Sequence, residues 1–183
     1  MRVLGFDAST STIGISVIDW EDPNKPQLVF CNYFKPPKHG DIFYRLSCVR
    51  SFVFELLDKY QPDYVALEDI ILFMKGKSSA KTVTSLAVLN RTVGLAIYNH
   101  FGKSPHLLNV RRIRSLLKLK SESPSKEDMP ELVSQHLGIP FPYKYITKGK
   151  NKNIKIATES YDMADGIAVS LAFIKSLQPK KKK

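Results

Sequence analysis

Two cysteines, Cys31 and Cys48, are all the thiols in 183 residues, and no CxxC spacing joins them. That argues against a disulfide scaffold and a thiolate zinc site, and predicts two reduced, half-buried residues in an intracellular, cytosol-like compartment. The four histidines, His39, His100, His106 and His136, have neither HxxH nor HExxH spacing, which argues against a histidine zinc centre. Lys75-Gly76-Lys77-Ser78 contains GKS but no glycine five residues upstream, so no phosphate-binding P-loop is present. No apolar run is long enough to span a membrane, and Asp7 interrupts the opening stretch before it can serve as a secretory h-region.

Acid is also scarce. Asp and Glu number 17 against 28 Lys and Arg, giving a net charge of +11. Setting aside the four lysines Lys180 to Lys183 as a solvated end leaves +7 on the body. A basic body favours polyanions, with nucleic acid ahead of an anionic membrane. Hydrophobic residues make up 43%, enough for a core without staples, so the chain reads as one domain over residues 1–178 with a basic tail at 179–183.

The apolar pattern predicts strands at 2–7, 13–20 and 27–34, rich in β-branched residues and joined by tight polar turns, hence an antiparallel meander. From Asp41, a plausible N-cap, apolar residues recur at Phe43, Leu46, Val49, Val53, Leu56 and Leu57, predicting a helix of about five turns. A strand ending at Glu68 follows. Next come a helix over Ala80 to Phe101 stopped by Gly102, a short strand over Pro105 to Val110, and two helices over Arg111 to Leu119 and Lys126 to Leu137. Ser125 is a fair N-cap for the second of these. Residues 139–158 read as a loop without periodicity, and a last helix carries Asp162 and Asp165. The sum is a mixed α/β sheet covered by helices.

Against this background the acids that remain are informative. Asp7 and Glu68 each close an apolar strand, where open α/β sheets bind ligands. Asp162 and Asp165, three apart, share one helix face. Converging carboxylates repel unless a cation sits between them, and hard oxygen donors suit Mg²⁺ or Mn²⁺. Each acid also has a structural alternative. Asp7 can accept from the Ser9-Thr10 turn, Glu68 can pair with Lys75, and Asp162 and Asp165 can be helix-start charges. Asp69 points to the opposite strand face, and Glu159 reads as a helix-start charge or as support for the site.

Three motifs in order, Gly5-Phe6-Asp7-Ala8-Ser9, Ala66-Leu67-Glu68-Asp69 and Tyr161-Asp162-Met163-Ala164-Asp165-Gly166-Ile167-Ala168, resemble the RuvC-type Holliday junction resolvases of the ribonuclease H-like superfamily. The chain departs from that family at Ala8-Ser9, where Pro-Gly is frequent, and in a longer loop after Glu68. The resemblance implies a ribonuclease H-like fold and two-metal phosphodiester hydrolysis leaving a 5′-phosphate and a 3′-hydroxyl. Asp7 would bridge the metals, with Glu68, Asp162 and Asp165 completing their shells. It also implies that Phe73, with Met74 beside it, helps open base pairs at the junction centre, and that Lys126 lies near the scissile phosphate. Tyr143 and Tyr145 are weaker candidates for the stacking work. Paired nicks need two sites, so a homodimer is expected, with Leu86, Leu89, Val93 and Ile97 on the second helix as its face or else as core.

Basic residues flank the acids in three clusters: Lys75, Lys77 and Lys81; Arg111, Arg112, Arg114, Lys118 and Lys120; and Lys144, Lys148, Lys150, Lys152 and Lys155. They are either solvated faces or phosphate contacts for branched DNA. A ribonuclease H or general nuclease with the same acids, an actin-like phosphotransferase suggested by the first motif, and a non-catalytic binding module remain as competing functions. Bacterial, viral and organellar origins all stay open.

Overall fold

The computed structural model describes residues 1–70, 79–118, 126–147, 152–153 and 155–178. Three strands open the chain, β1 (Arg2–Ala8), β2 (Ile13–Asp19) and β3 (Gln27–Phe34), paired antiparallel as their short connections require. The β1–β2 turn is closed by Ser9, whose N–H donates to the Thr12 carbonyl at 3.0 Å. Helix α1 (Ile42–Tyr60) begins at Asp41, whose carboxylate accepts from the Tyr44 amide. Strand β4 (Tyr64–Asp69) then runs parallel to β1, and α2 (Ala80–Phe101) ends at Gly102 in the left-handed region. Strand β5 (His106–Asn109) completes a five-stranded sheet of order β3-β2-β1-β4-β5.

Both sheet faces are covered, which splits the core in two. On one face Leu4, Phe6, Ile13, Ile15, Val17, Val65 and Leu67 pack against Val49, Val53, Leu57 of α1 and Leu89, Val93, Ile97 of α2. Val3, Ile18 and Ala66 face the other way, onto α3 (Val110–Leu116), α4 (Met129–Leu137) and α5 (Glu159–Ser176). Helix α5 is buried almost all round from Gly166 to Ile174, as a helix between a sheet and other helices must be.

One expectation needs correction. A single helix over Lys126 to Leu137 is not formed; Lys126–Asp128 is a 3-10 turn, and α4 starts only at Met129. Pro130 lacks an amide hydrogen and its ring collides with a carbonyl four residues back, so the regular helix starts beside it. Ser125 lies outside the described residues, and the residue at the N-cap position is Asp128, with no side-chain cap bond. The described residues of 139–158 form the expected loop without a regular element, with local pairing inside it. Tyr145 and Ile156 form an antiparallel bridge, and Ile146 and Ala157 donate to the carbonyls of Lys155 and Lys144. Alternating sequence was absent because this short ribbon lies at the surface and buries only isolated residues such as Phe141 and Ala157.

Candidate metal centre and nucleic-acid interface

Asp7 stands at the C-terminal end of β1, opposite Gly14 in the β1–β2 register. Strand alternation sends Leu4 and Phe6 to the α1–α2 face, and therefore Gly5 and Asp7 towards α5. Small residues let α5 come close enough to meet them. A Cβ on Gly166 would lie 2.7 Å from the backbone of Gly14 and Ile15, and one on Gly14 would overlap the carbonyl of Asp162. Ser16 Oγ donates to the Gly166 carbonyl at 2.9 Å and pairs with Ser170 Oγ at 2.7 Å, a buried polar clasp at the same contact. The result is that carboxylate oxygens of Asp7, Asp162 and Asp165 lie within 4.8 Å of one another, all three side chains half-buried.

Glu68 is half-buried on β4 and, since Ala66 faces α5, shares that face; it does not join the tight group of three. Its backbone is fixed from the other side: Asn90 of α2, fully buried, donates Nδ2 to the Glu68 carbonyl at 2.8 Å. Asp69 points away, as alternation demands, and pairs with Arg91 at 3.0 Å.

One turn before Asp162, Glu159 forms an ion pair with Lys35, just past β3. The Lys35 ammonium holds the Glu159 carboxyl below the usual carboxylate range, and Glu159 in turn raises Lys35, with Asp162 adding to that rise. Lys35 is therefore within electrostatic reach of the acid cluster. Residue composition offered no hint of it, because the partners are 124 positions apart. Asn90 and the Ser16–Ser170 clasp were invisible for the same reason.

The basic clusters divide. Phe73, Met74, Lys75, Lys77, Lys120, Lys148, Lys150 and the tail 179–183 lie outside the described residues. Lys81, Arg111, Arg112, Lys118, Lys144, Lys152 and Lys155 are exposed, Arg114 is half-buried, and Lys126 opens the 3-10 turn. Lys144 is tied to the acid-bearing helix: Ser160 Oγ accepts from its amide at 2.8 Å and donates to its carbonyl at 3.1 Å. Leu89, Val93 and Ile97 are spent on the intramolecular core against α1, which removes them as a dimer face. The exposed apolar residues of α2 are instead Val88, Leu95 and Tyr98. Both cysteines are free, and burial pushes the Cys31 thiol up to about 11, so it stays protonated and inert. Among the described residues no helix is long and apolar enough to cross a membrane.

Comparison with known proteins meets this geometry. A Fusobacterium nucleatum crossover junction endodeoxyribonuclease RuvC is 33% identical over 52% of this chain, but the match spans only 48% of that relative's length. A Dehalococcoides mccartyi protein of the same name is 27% identical over 93% of this chain and 89% of its own. The fold matches the T. thermophilus RuvC structure solved in complex with Holliday junction substrate, with a TM-score of 0.69 and 19% identity over 94% of this chain and 92% of that one. The family model described as Crossover junction endodeoxyribonuclease RuvC matches residues 3–123, and the chain belongs to that family.

Proposed function

We propose that this protein is a metal-dependent, structure-selective endonuclease that resolves four-way DNA junctions by paired symmetric nicks, leaving 5′-phosphate and 3′-hydroxyl ends. The convergence of Asp7, Asp162 and Asp165 in a chain of net charge +11 carries the reading. Three like charges this close favour a site that takes up cations, while the surrounding excess of lysine and arginine draws in a polyanion.

The donor set fits a hard divalent ion. Oxygens around octahedral Mg²⁺ at about 2.1 Å are roughly 2.9 Å apart when adjacent and about 4.2 Å when opposite. The oxygens of Asp7, Asp162 and Asp165, within 4.8 Å of one another, are close to that range. Asp7, on the strand between β2 and β4, would be shared by the metals, with Glu68, Asp162 and Asp165 completing their shells. Bound Mg²⁺ or Mn²⁺, two per site, would supply the Lewis acidity that activates water and stabilises charge on the departing 3′-oxygen. The chain's own residues do the positioning. Gly14 and Gly166 set the helix-to-strand distance, Asn90 holds the backbone of Glu68, and Ser160 fastens the Lys144 segment beside the helix acids. Lys144, Lys152, Lys155, Lys81, Arg111, Arg112, Arg114, Lys118 and Lys126 are proposed to follow the phosphates, together with Lys75, Lys77, Lys148 and Lys150. Such contacts carry affinity and register without reading bases. Phe73 is proposed to stack at the opened junction centre.

Two opposed nicks need two sites, so a C₂ homodimer is part of the proposal; the exposed Val88, Leu95 and Tyr98 on α2 support that helix as its face. One domain over 1–178 and a cytoplasmic location in a bacterial or phage-infected cell complete it. The test is incubation of mobile and immobile four-way junctions, beside an RNA–DNA hybrid, with Mg²⁺ and then with Mn²⁺. Paired cuts placed symmetrically across the junction are expected. Preferential cutting of the hybrid would replace this reading with a ribonuclease H, and metal-independent binding without cleavage would replace it with a binding module.

A further inference from the structure

Beyond Lys35, the segment running to Arg50 took no part in the site, yet it carries the most exposed large apolar side chain among the described residues. Phe43, in the first turn of α1, is 78% exposed, between Ile42 at 46% and Tyr44 at 48%. Tyr44 is engaged: its ring lies 5.7 Å from that of His39, and Gly40 is folded against it. Phe43 is left facing solvent. Next to it, Arg45 Nε is buried with no hydrogen-bond partner, an unused donor on a charged group. That nitrogen is sealed from solvent, so an external phosphate would be met by the other guanidinium nitrogens, whose preferred acceptors are carboxylate and phosphate oxygens. The segment holds four cations, Lys35, Lys38, Arg45 and Arg50, against one acid, Asp41, whose carboxylate is taken by the helix cap.

The topology places the start of this segment beside the acids. Asp7 pairs with Gly14, and its neighbour Ile13 pairs with Phe34, so β3 leaves the sheet at the edge where β1 delivers Asp7. Two strand spacings, about 10 Å, separate β1 from β3. Lys35, the next residue, is tied to Glu159 on the acid-bearing helix. In the sheet order, β2 and β3 lie on one side of β1, and β4, which Phe73 follows in sequence, lies on the other.

We infer that residues 35–45 form a second nucleic-acid contact surface, on the β3 side of the acid cluster. Phe43 stacks on an unpaired base, and Arg45, with Lys38, holds the neighbouring phosphates. With Lys35 paired to Glu159 and Asp41 held by the helix cap, Lys38, Arg45 and Arg50 leave a net positive charge that favours a nucleic-acid strand over a protein partner, and an aromatic ring that is not packed at home selects a region where bases are unstacked. The surface deepens the nuclease reading and rests on it for its place in the reaction, but its binding can be read without cleavage.

The test uses the full chain with Asp7→Asn to block cutting, compared with Phe43→Ser and Arg45→Gln added singly and together. The probes are a labelled immobile four-way junction and a single-stranded oligonucleotide containing 2-aminopurine. Phe43→Ser touches an exposed side chain, so its fold survives; it is expected to weaken binding by about 5- to 150-fold and to remove the 2-aminopurine signal. Arg45→Gln is expected to lower the log–log salt slope by about 0.9. Binding of both probes by Phe43→Ser within two-fold of the parent overturns the inference. So does loss of self-association with unchanged DNA binding, which would assign Phe43 to a second copy of this chain. If the wild-type chain leaves junctions uncut in Mg²⁺ while Phe43 still governs oligonucleotide binding, the nuclease reading falls and the strand-binding surface stands.

Discussion

Alanine at Gly166 and alanine at Gly94 make the same chemical change in two helices, and the structure predicts opposite outcomes. A Cβ on Gly166 would sit 2.7 Å from Gly14 C and Ile15 N and 3.0 Å from Gly14 O, all backbone atoms of a central strand. Ordinary carbon contacts need about 3.5–4.0 Å, so α5 must retreat by roughly 1 Å. Overpacking of that kind costs about 1–3 kcal/mol, or about 3–10 °C in Tm for a chain of this length. The retreat also draws Asp162 and Asp165 away from Asp7, and a 1 Å misplacement lowers a rate by on the order of 10²-fold. On Gly94 the new Cβ would meet only Leu67 Cδ2 at 3.8 Å and Pro105 Cγ at 3.9 Å, an ordinary contact. There, replacing a helical glycine should stabilise by up to about 1 kcal/mol and leave cleavage unchanged. Thermal unfolding and junction cleavage of the two variants decide it. An unchanged Tm and rate for Gly166→Ala, or equal damage from Gly94→Ala, would refute the idea that close α5–β2 packing builds the acid cluster.

Asp7→Asn, Glu68→Gln, Asp162→Asn and Asp165→Asn should each abolish cleavage while junction binding, measured by anisotropy, stays near wild type; normal cleavage by Asp7→Asn would sink the assignment. Changing Lys144, Lys152 and Lys155 to Gln should flatten the salt dependence of binding by about 0.9 in log–log slope for each phosphate no longer neutralised, and an unchanged slope would make them plain solvated residues. Arg2 grips Asp19 through Nε at 2.7 Å and a second nitrogen at 2.8 Å, which lowers the Asp19 pKa. A lowered carboxylate stabilises the fold above its unfolded pKa and loses that contribution as pH falls through the folded one, so the effect is full at neutral pH and fades below about pH 4. With both side chains about a third exposed, Asp19→Asn should cost no more than about 1 kcal/mol in urea unfolding at pH 7, and the gap from wild type should close towards pH 2.

What could be read from sequence follows the range of the interactions involved. The first three strands and α1 were legible because their signals are local: β-branched runs between polar turns, and Asp41 capping the first turn of a helix. Asp69 was placed on the face opposite Glu68 by strand period alone. Periodicity says that one face of α2 is buried but not against what. Both sheet faces are covered here, so Leu89, Val93 and Ile97 meet α1 and the strands and none is left for a partner. Pro130 shows the reverse error, a local rule outweighed by a smooth apolar pattern; its missing N–H splits what the pattern joined. The site needs contacts between positions that no local rule links. Gly14 is small enough for a close approach, but that the approaching group is the Asp162 carbonyl depends on α5 crossing the sheet there. Glu159 reads in sequence as a helix-start charge or as support for the site and Lys35 carries no signal, and only the return of α5 to the β3 edge makes them a pair. The same logic applies to Phe43. In a helical pattern it counts as one more apolar position, yet in the first turn of α1 it stays 78% exposed. A residue that fits the hydrophobic period but stays out of the core marks where the local pattern and the tertiary structure part, and such places are where binding surfaces are sought.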